Sequence, residues 1–263
     1  MPTQWTLTLT PPPPTPVDPR HLHALACHLL ETPTTDHTAT TKPFTVALNG
    51  RRLIMSLLDD SRPLEHLALP TGSALRLGSR TFHCSPDGHR TEPYARLAAC
   101  PPAVKAHVEF CTPTYVKRSG HQVPLSDPEL LLAGLARRWA TLSPLSLPAA
   151  AVTEVLGSVH LARHDTRTRI FGQGPAQRVG FVGSATFGLS ERPSLSARRV
   201  FAALWSFASF AGAGAQTTHG FGHVSIRLQH SDTAADPGGG VREENTRPLR
   251  PSLTTDRTRN GAG

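Results

Sequence analysis

FAGAGAQTTHGFGHVSIRL, residues 210–228, sets four glycines between two regular patterns. Before it, from about Leu195, the residues Val200, Leu204, Phe207 and Ala211 recur on one side of a helix. After it, residues 223–228 alternate as a strand does. Glycine reaches positive φ and leaves room for a close approach of backbone, so Gly212, Gly214, Gly220 and Gly222 suit either tight packing or a phosphate held by N–H groups. The order helix, loop, strand is the reverse of a Rossmann fingerprint. No Gly-Lys-Ser/Thr follows the glycines, which excludes a nucleotide P-loop.

Working back from that loop, strands are expected at about 179–187 and 152–162. Asp127 followed by Pro128 is an N-cap with proline at the first helical position. It opens a helix through Leu130, Leu131, Leu135 and Trp139. A strand near 114–118 precedes it. The first half reads the same way. Trp5, Leu7 and Leu9 alternate as a strand, and Asp18-Pro19 opens a helix carrying Leu22, Leu25, Ala26, Leu29 and Leu30 on one stripe. Strands at 44–48 and 53–57 flank the hairpin signal Asn49-Gly50. Turns are expected at 70–72 and 86–88, a short helix near 94–99 and a closing strand near 104–111. Each half is then β-α-β-β-α-β. The expected fold is α+β, two tandem ferredoxin-like (RRM-like) domains at 1–112 and 113–230. Residues 231–263 are nearly free of apolar side chains and read as a disordered tail.

Composition narrows the class. The 263 residues are 38% hydrophobic, ordinary for a globular chain, and 25 are proline, about twice the usual share. The net charge is +8, from 27 Lys and Arg against 19 Asp and Glu, which favours a polyanionic partner. No run is long and apolar enough for a spanning helix, and the N-terminus is not patterned as a secretory signal. Cys27, Cys84, Cys100 and Cys111 form no CxxC pair, so they read as small hydrophobes rather than disulfides or zinc ligands. No HxxxH or HExxH lies on a helix, and no metal or cofactor is expected.

Three segments together, 108–139 (VEFCTPTYVKRSGHQVPLSDPELLLAGLARRW), 179–187 (VGFVGSATF) and the glycine-rich stretch, resemble the CRISPR-associated repeat-processing endoribonucleases of the RAMP superfamily. The resemblance implies a cytoplasmic prokaryotic enzyme that cuts CRISPR precursor RNA within its repeats to make crRNA for antiviral defence. In such families cleavage needs no metal and leaves a 2′,3′-cyclic phosphate and a 5′-hydroxyl. The alternative is a RAMP subunit that binds crRNA in an effector complex and cuts nothing, since the fold serves both. The partner is then repeat RNA. Whether the chain forms a homodimer or stays beside other effector subunits is left open.

Such chemistry removes a proton from the 2′-hydroxyl, supplies one to the departing 5′-oxygen and sets a cation near the phosphorane. Imidazole suits the proton steps and lysine the charge. The family pattern puts a His in the connection after the first helix, before a Lys-Pro-Phe-like strand start. His37 and Lys42 match it. Some relatives pair this His with a tyrosine near the first helix, but here the only tyrosines are Tyr94 and Tyr115, so the division into acid and base stays open. His21, His23 and His28 on the first helix read as solvent-facing or internally satisfied. His219, Lys117, Arg118, Arg137, Arg138 and the four loop glycines are the expected RNA contacts, with Arg198 and Arg199 as a further basic pair.

Overall fold

The computed structural model describes residues 1–31, 41–59, 69–172, 177–190 and 192–230. His37 and the expected tail, 231–263, lie outside them. Met1–Ser231 is one compact unit. Two antiparallel sheets organise it, and both carry the ferredoxin-like strand order.

The first sheet is β2-β3-β1-β5-β4, built from β1 (Thr3–Thr10), β2 (Phe44–Asn49), β3 (Arg52–Leu57), β4 (Ser73–Leu77) and β5 (Arg80–Thr91). Helix α1 (Pro19–Leu30) covers it through the expected stripe, with Leu22, Leu25, Ala26 and Leu30 buried and Leu29 packed against that core. The Asp18 side chain accepts from the Arg20 N–H, and Pro19 stands in the first turn, as their spacing predicts. The β2–β3 turn falls one residue later than expected. Asn49 pairs with Arg52, and Gly50, at φ +60°, is the first loop residue.

The second sheet is β11-β6-β10-β9, from β6 (Ala103–Thr114), β9 (Val159–Phe171), β10 (Arg178–Leu189) and β11 (Val224–His230). Helices α3 (Pro128–Leu142), α4 (Ala149–Ser158) and α5 (Leu195–Ala211) cover one face. Between β6 and α3 lies a small hairpin of β7 (Val116–Arg118) and β8 (His121–Val123). Helix α5 is apolar on nearly every side and buries eleven of its residues, including Trp205, Phe201 and Phe207. A helix of that composition is stable only when covered all round. Here α3 and α4 flank it, the second sheet lies beneath it, and its C-terminal turn reaches the first sheet.

Four expectations are corrected. Residues 152–158 are helix α4, not strand. The run AAAVTEVLGS starts after Pro148, is rich in helix formers, and buries Ala151 and Val155 four apart, a helical period. The strand at 104–111, read as closing the first repeat, is part of β6 and opens the second sheet instead. The strand expected at 114–118 reduces to the end of β6 and the short β7. The turn expected at 86–88 lies inside β5. Strand β4 pairs only with residues 80–84, so beyond them that side of β5 has no ladder, and Pro86 needs no partner there. A register shift opposite Thr6 and Leu7 absorbs the irregularity.

The four cysteines are free thiols, with Cys84 buried and the others half-buried. The connection α2 (Tyr94–Ala98) joins the sheets and buries Tyr94 and Leu97, with the Tyr94 hydroxyl donating to the Leu58 carbonyl at 2.7 Å. No helix among the described residues is long and apolar enough to cross a membrane.

Candidate functional site

The C-terminus of α5 enters the glycine-rich loop inside the protein, where its last carbonyls need donors. They come from three directions. Gln4 Nε2 and Arg90 Nη2 donate to the Ser209 carbonyl at 3.1 and 2.8 Å, and Thr45 Oγ1 donates to that of Phe210 at 3.1 Å. Arg138 Nη1, from α3, donates to the Ala211 carbonyl and also to Thr217 Oγ1 at 3.0 Å. Burial pulls the Arg138 guanidinium down to about 10, still charged at neutral pH. Arg138 is therefore a brace of the loop, not the exposed RNA contact its place beside Arg137 suggested.

The glycines are explained by the same crowding. All four have φ between +67° and +98°. A Cβ at Gly214 would stand 2.5 Å from the Tyr115 carbonyl oxygen, one at Gly212 2.8 Å from that of Gly222, and one at Gly220 2.6 Å from Leu22 Cδ1. The N–H groups of Gly212, Ala213, Ala215 and Gly222 donate to carbonyls of Ala208, Gly222, Tyr115 and Pro113. These donors serve the chain itself. Packing accounts for the residue type. Gln216 also holds a left-handed conformation without being glycine (φ +55°), with Tyr115 Oη donating to its Oε1 at 2.6 Å.

What the loop presents is a pair of imidazoles. A 3-10 turn, Thr217–His219, carries His219 onto His23 of α1, with ring centroids 4.0 Å apart and planes 4° from parallel. His23 Nδ1 lies 2.9 Å from the Thr218 carbonyl, which can only accept, so Nδ1 bears the proton. Its Nε2 is 3.5 Å from Cys27 Sγ. Burial, and then the Glu31 carboxylate, push that thiol up to about 11, so it stays protonated and can donate to Nε2. His219 is held down to about 4, first by burial, then by His23 and Arg178. It is neutral at pH 7, with its Nδ1 2.8 Å from Thr218 Oγ1.

His23, Cys27 and Glu31 follow at four-residue spacing, the first two on α1 and Glu31 as the extended residue that caps its C-terminus. The row ends in an ion pair, Glu31 Oε1 to Lys42 Nζ at 2.9 Å, with the side chains only 4% and 10% exposed. This pair joins the two described ends of the connection that carries His37. Lys42 is thus committed to Glu31 rather than presented alone. His23 was passed over in the sequence because no single helical His stands out; the His-Cys-Glu row at spacing four was the available signal.

The other expected contacts are scattered. Lys117 and Arg118 are exposed on β7, and Arg118 pairs with Asp127, the cap of α3, at 2.9 Å. Arg137 is exposed on α3, and Arg199 on α5. The sequence missed a basic row on β9. Arg163, Arg167 and Arg169 share the sheet face away from the helices, and Arg227 of β11 stands on that face too. They were hidden because 163–169, with its alternating Arg, Asp and Thr, has no apolar pattern to mark a strand.

The family model for CRISPR-associated endoribonuclease Cas6 matches residues 108–224. A Cas6 endoribonuclease of Mycobacterium tuberculosis, in two strains, is 29% identical over 185 residues. That alignment covers 70% of this chain and 57% of the relative, so the chain spans little more than half the length of those relatives. A solved Cas6 product complex is 26% identical with a TM-score of 0.70, covering 86% of this chain and all of the other. Thermus thermophilus Cas6 is 25% identical with a TM-score of 0.66, covering 86% and 97%. A further Cas6 product complex superposes with a TM-score of 0.75 at 24% identity, covering 86% and 100%. The chain resembles Cas6 in sequence over residues 108–224 and in fold over 86% of its length. The region matched by the Cas6 model contains the loop, Arg138 and His219, and those parts meet α1 of the first sheet at His23.

The half-buried imidazoles give the chain an acid-sensitive centre. His223, next to Gly222, is also pulled down to about 4, by burial and then by Arg90. Both groups have folded values below the unfolded one, near 6.5. Their neutral forms therefore stabilise the fold above about pH 6.5, and that stability is lost as pH falls toward 4. Tm measured from pH 7 to 4 is expected to fall steeply below 6.5, and to fall less in His223→Asn. Equal slopes for the two proteins would refute the assignment.

Proposed function

We propose that this chain is a cytoplasmic, metal-independent endoribonuclease that cuts CRISPR precursor RNA within its repeats. The 2′-hydroxyl attacks the neighbouring phosphorus, the P–O5′ bond breaks, and the products are a 2′,3′-cyclic phosphate and a 5′-hydroxyl. The observation that carries the reading is the junction of Glu31 and Lys42, connected through Cys27 to the stacked His23 and His219, at the mouth of the connection bearing His37, in a Cas6-like fold. Likeness to Cas6 product complexes supports RNA as the ligand.

His37 is the proton carrier in this reading. Lys42, oriented by Glu31, is a positioning residue that contributes charge only as part of that pair. His219 is neutral at working pH, so its part is to donate or accept a hydrogen bond rather than to bring charge to the phosphate. Lys117, Arg118, Arg137 and the β9 arginines supply backbone contacts, which makes binding steeply salt-dependent.

The test is His37→Ala in single-turnover cleavage of repeat RNA, with binding measured in parallel. The expected result is a loss of at least ~100-fold in rate, within the range of general acid–base catalysis, while Kd moves less than about threefold. Cutting at the wild-type rate would remove His37 from the mechanism. Tight binding by the wild-type chain with no cutting at all would establish the non-catalytic RAMP subunit instead.

A further inference from the structure

Tyr115 stands between β6 and β7, and its ring is wholly buried. Its backbone shapes the glycine-rich loop, since its carbonyl accepts the Ala215 N–H at 2.8 Å and is the atom that a Cβ at Gly214 would meet. Its side chain has a separate part. The phenol oxygen lies 2.6 Å from Gln216 Oε1 and is also hydrogen-bonded to the Arg178 side chain. A guanidinium can only donate, so Oη accepts from Arg178, and its one proton goes to the Gln216 amide oxygen. Burial holds the Tyr115 phenol above its ordinary value, so that proton is in place at neutral pH.

Each end of this relay sits on an element of the site. Arg178 opens β10 and pairs with Phe171, the last residue of β9, so it marks the base of the β9–β10 hairpin. The Phe171 ring lies edge-on to Phe221 of the loop, with centroids 4.8 Å apart, and Phe221 lies edge-on to Tyr115 at 5.5 Å. An aromatic row therefore runs beside the polar one. At the other end Gln216 precedes the turn Thr217–His219 and holds φ +55° without being glycine. A side chain is strained in that region, and such strain persists only where neighbours hold it. Three residues further on, His219 rests on His23.

We infer that Tyr115 is a positioning residue of the cleavage site, fixing His219 through Gln216 relative to the base of the β9–β10 hairpin. This rests on the reading that the chain cuts repeat RNA. In that reading the β9 arginines hold the RNA backbone, so the strand that binds substrate and the turn that carries His219 share one connection. Placing a reacting group against bound substrate is what such a connection supplies. Without the hydroxyl, Gln216 loses the bond that offsets its strain. It relaxes toward negative φ, and the turn swings His219 away from His23.

The test uses the full chain in single-turnover cleavage of repeat RNA. Kd is measured on the same RNA with a 2′-deoxy nucleotide at the cut, and Tm alongside, for wild type, Tyr115→Phe, Gln216→Gly and the double variant. Tyr115→Phe removes one oxygen and keeps the buried ring. It is expected to cut roughly tenfold more slowly, the scale of one lost hydrogen bond, with Kd within about twofold of wild type. Glycine adopts the left-handed conformation at no steric cost, so in Gln216→Gly the hydroxyl has no strain to hold. Adding Tyr115→Phe to that variant should slow cutting by less than about twofold more, as coupled residues require. A purely structural hydroxyl would lower Tm and leave the rate below it unchanged. Wild-type cutting by Tyr115→Phe, a rate loss matched by the loss in Kd, or an equal loss in both backgrounds would overturn the positioning role and leave the endoribonuclease reading standing. A wild-type chain that cuts nothing would overturn both.

Discussion

Gly222→Ala is expected to unfold the junction between α5 and β11 and to lower Tm by about 10 °C. Two costs add. Gly222 sits at φ +71°, where an L side chain carries a strain of about 1–2 kcal/mol. A Cβ there would also overlap the carbonyl oxygen of Ala213, an atom of the backbone rather than the end of a flexible side chain. Relief requires moving Ala213, whose N–H donates to the Gly222 carbonyl at 2.8 Å, so that hydrogen bond is distorted by the relief itself. A total of about 3 kcal/mol is expected, at roughly 2–4 °C per kcal/mol for a chain of this size. Gly50→Ala is the internal control. Gly50 also has positive φ, but a Cβ there meets nothing within 4 Å, so only the strain remains. Thermal melts that shift equally for the two variants would contradict the close packing of the loop.

Arg138→Met is expected to cost about 2–4 kcal/mol and to loosen the loop without touching RNA binding directly. The side chain is nearly isosteric, so little volume is lost. What disappears is the donor to the Ala211 carbonyl and to Thr217 Oγ1, each left in the interior at about 1–3 kcal/mol. Removing a buried cation returns part of its desolvation cost. That return is limited, because the charge lies at the C-terminal end of α5, where the helix dipole favours it. Unmet acceptors therefore win. Hydrogen exchange at the Ala213 and Ala215 amides should accelerate, and the salt slope of RNA binding should stay at the wild-type value. A slope reduced by about 0.7 at unchanged stability would restore Arg138 as a phosphate contact.

The two residues also show where sequence and structure part. Local signals with a mechanism of their own were readable. Asp18-Pro19 and Asp127-Pro128 open helices, and the Asn-Gly dipeptide closes a hairpin to within one residue. The strand order could be expected because alternation and helical stripes recur in the same sequence in both halves. Misreadings arose where partners decide. Residues 152–158 are apolar and short, so periodicity alone could not choose helix over strand. Pro86 reads as a turn until the short reach of β4 leaves its side of β5 unpaired.

The site was legible in the same uneven way. The glycine loop was located, but the atoms that require glycine at Gly214 and Gly220, the Tyr115 carbonyl and Leu22, lie far off in the chain. Arg137 and Arg138 are neighbours in sequence, yet a turn of 100° along the helix exposes one and half-buries the other against the loop. The stack of His23 on His219 joins residues 196 positions apart, and no local pattern could announce it. His37 rests on the resemblance of its connection. The structure adds the closed Glu31–Lys42 junction at that connection's ends.

The most direct test of the endoribonuclease reading is single-turnover cleavage of the cognate repeat RNA by the wild-type chain in EDTA, beside the same RNA with a 2′-deoxy nucleotide at the cut. The account predicts cutting in EDTA to a 2′,3′-cyclic phosphate and a 5′-hydroxyl, and none of the deoxy substrate. Cleavage that needs a divalent ion, or that proceeds on the deoxy substrate, would contradict it.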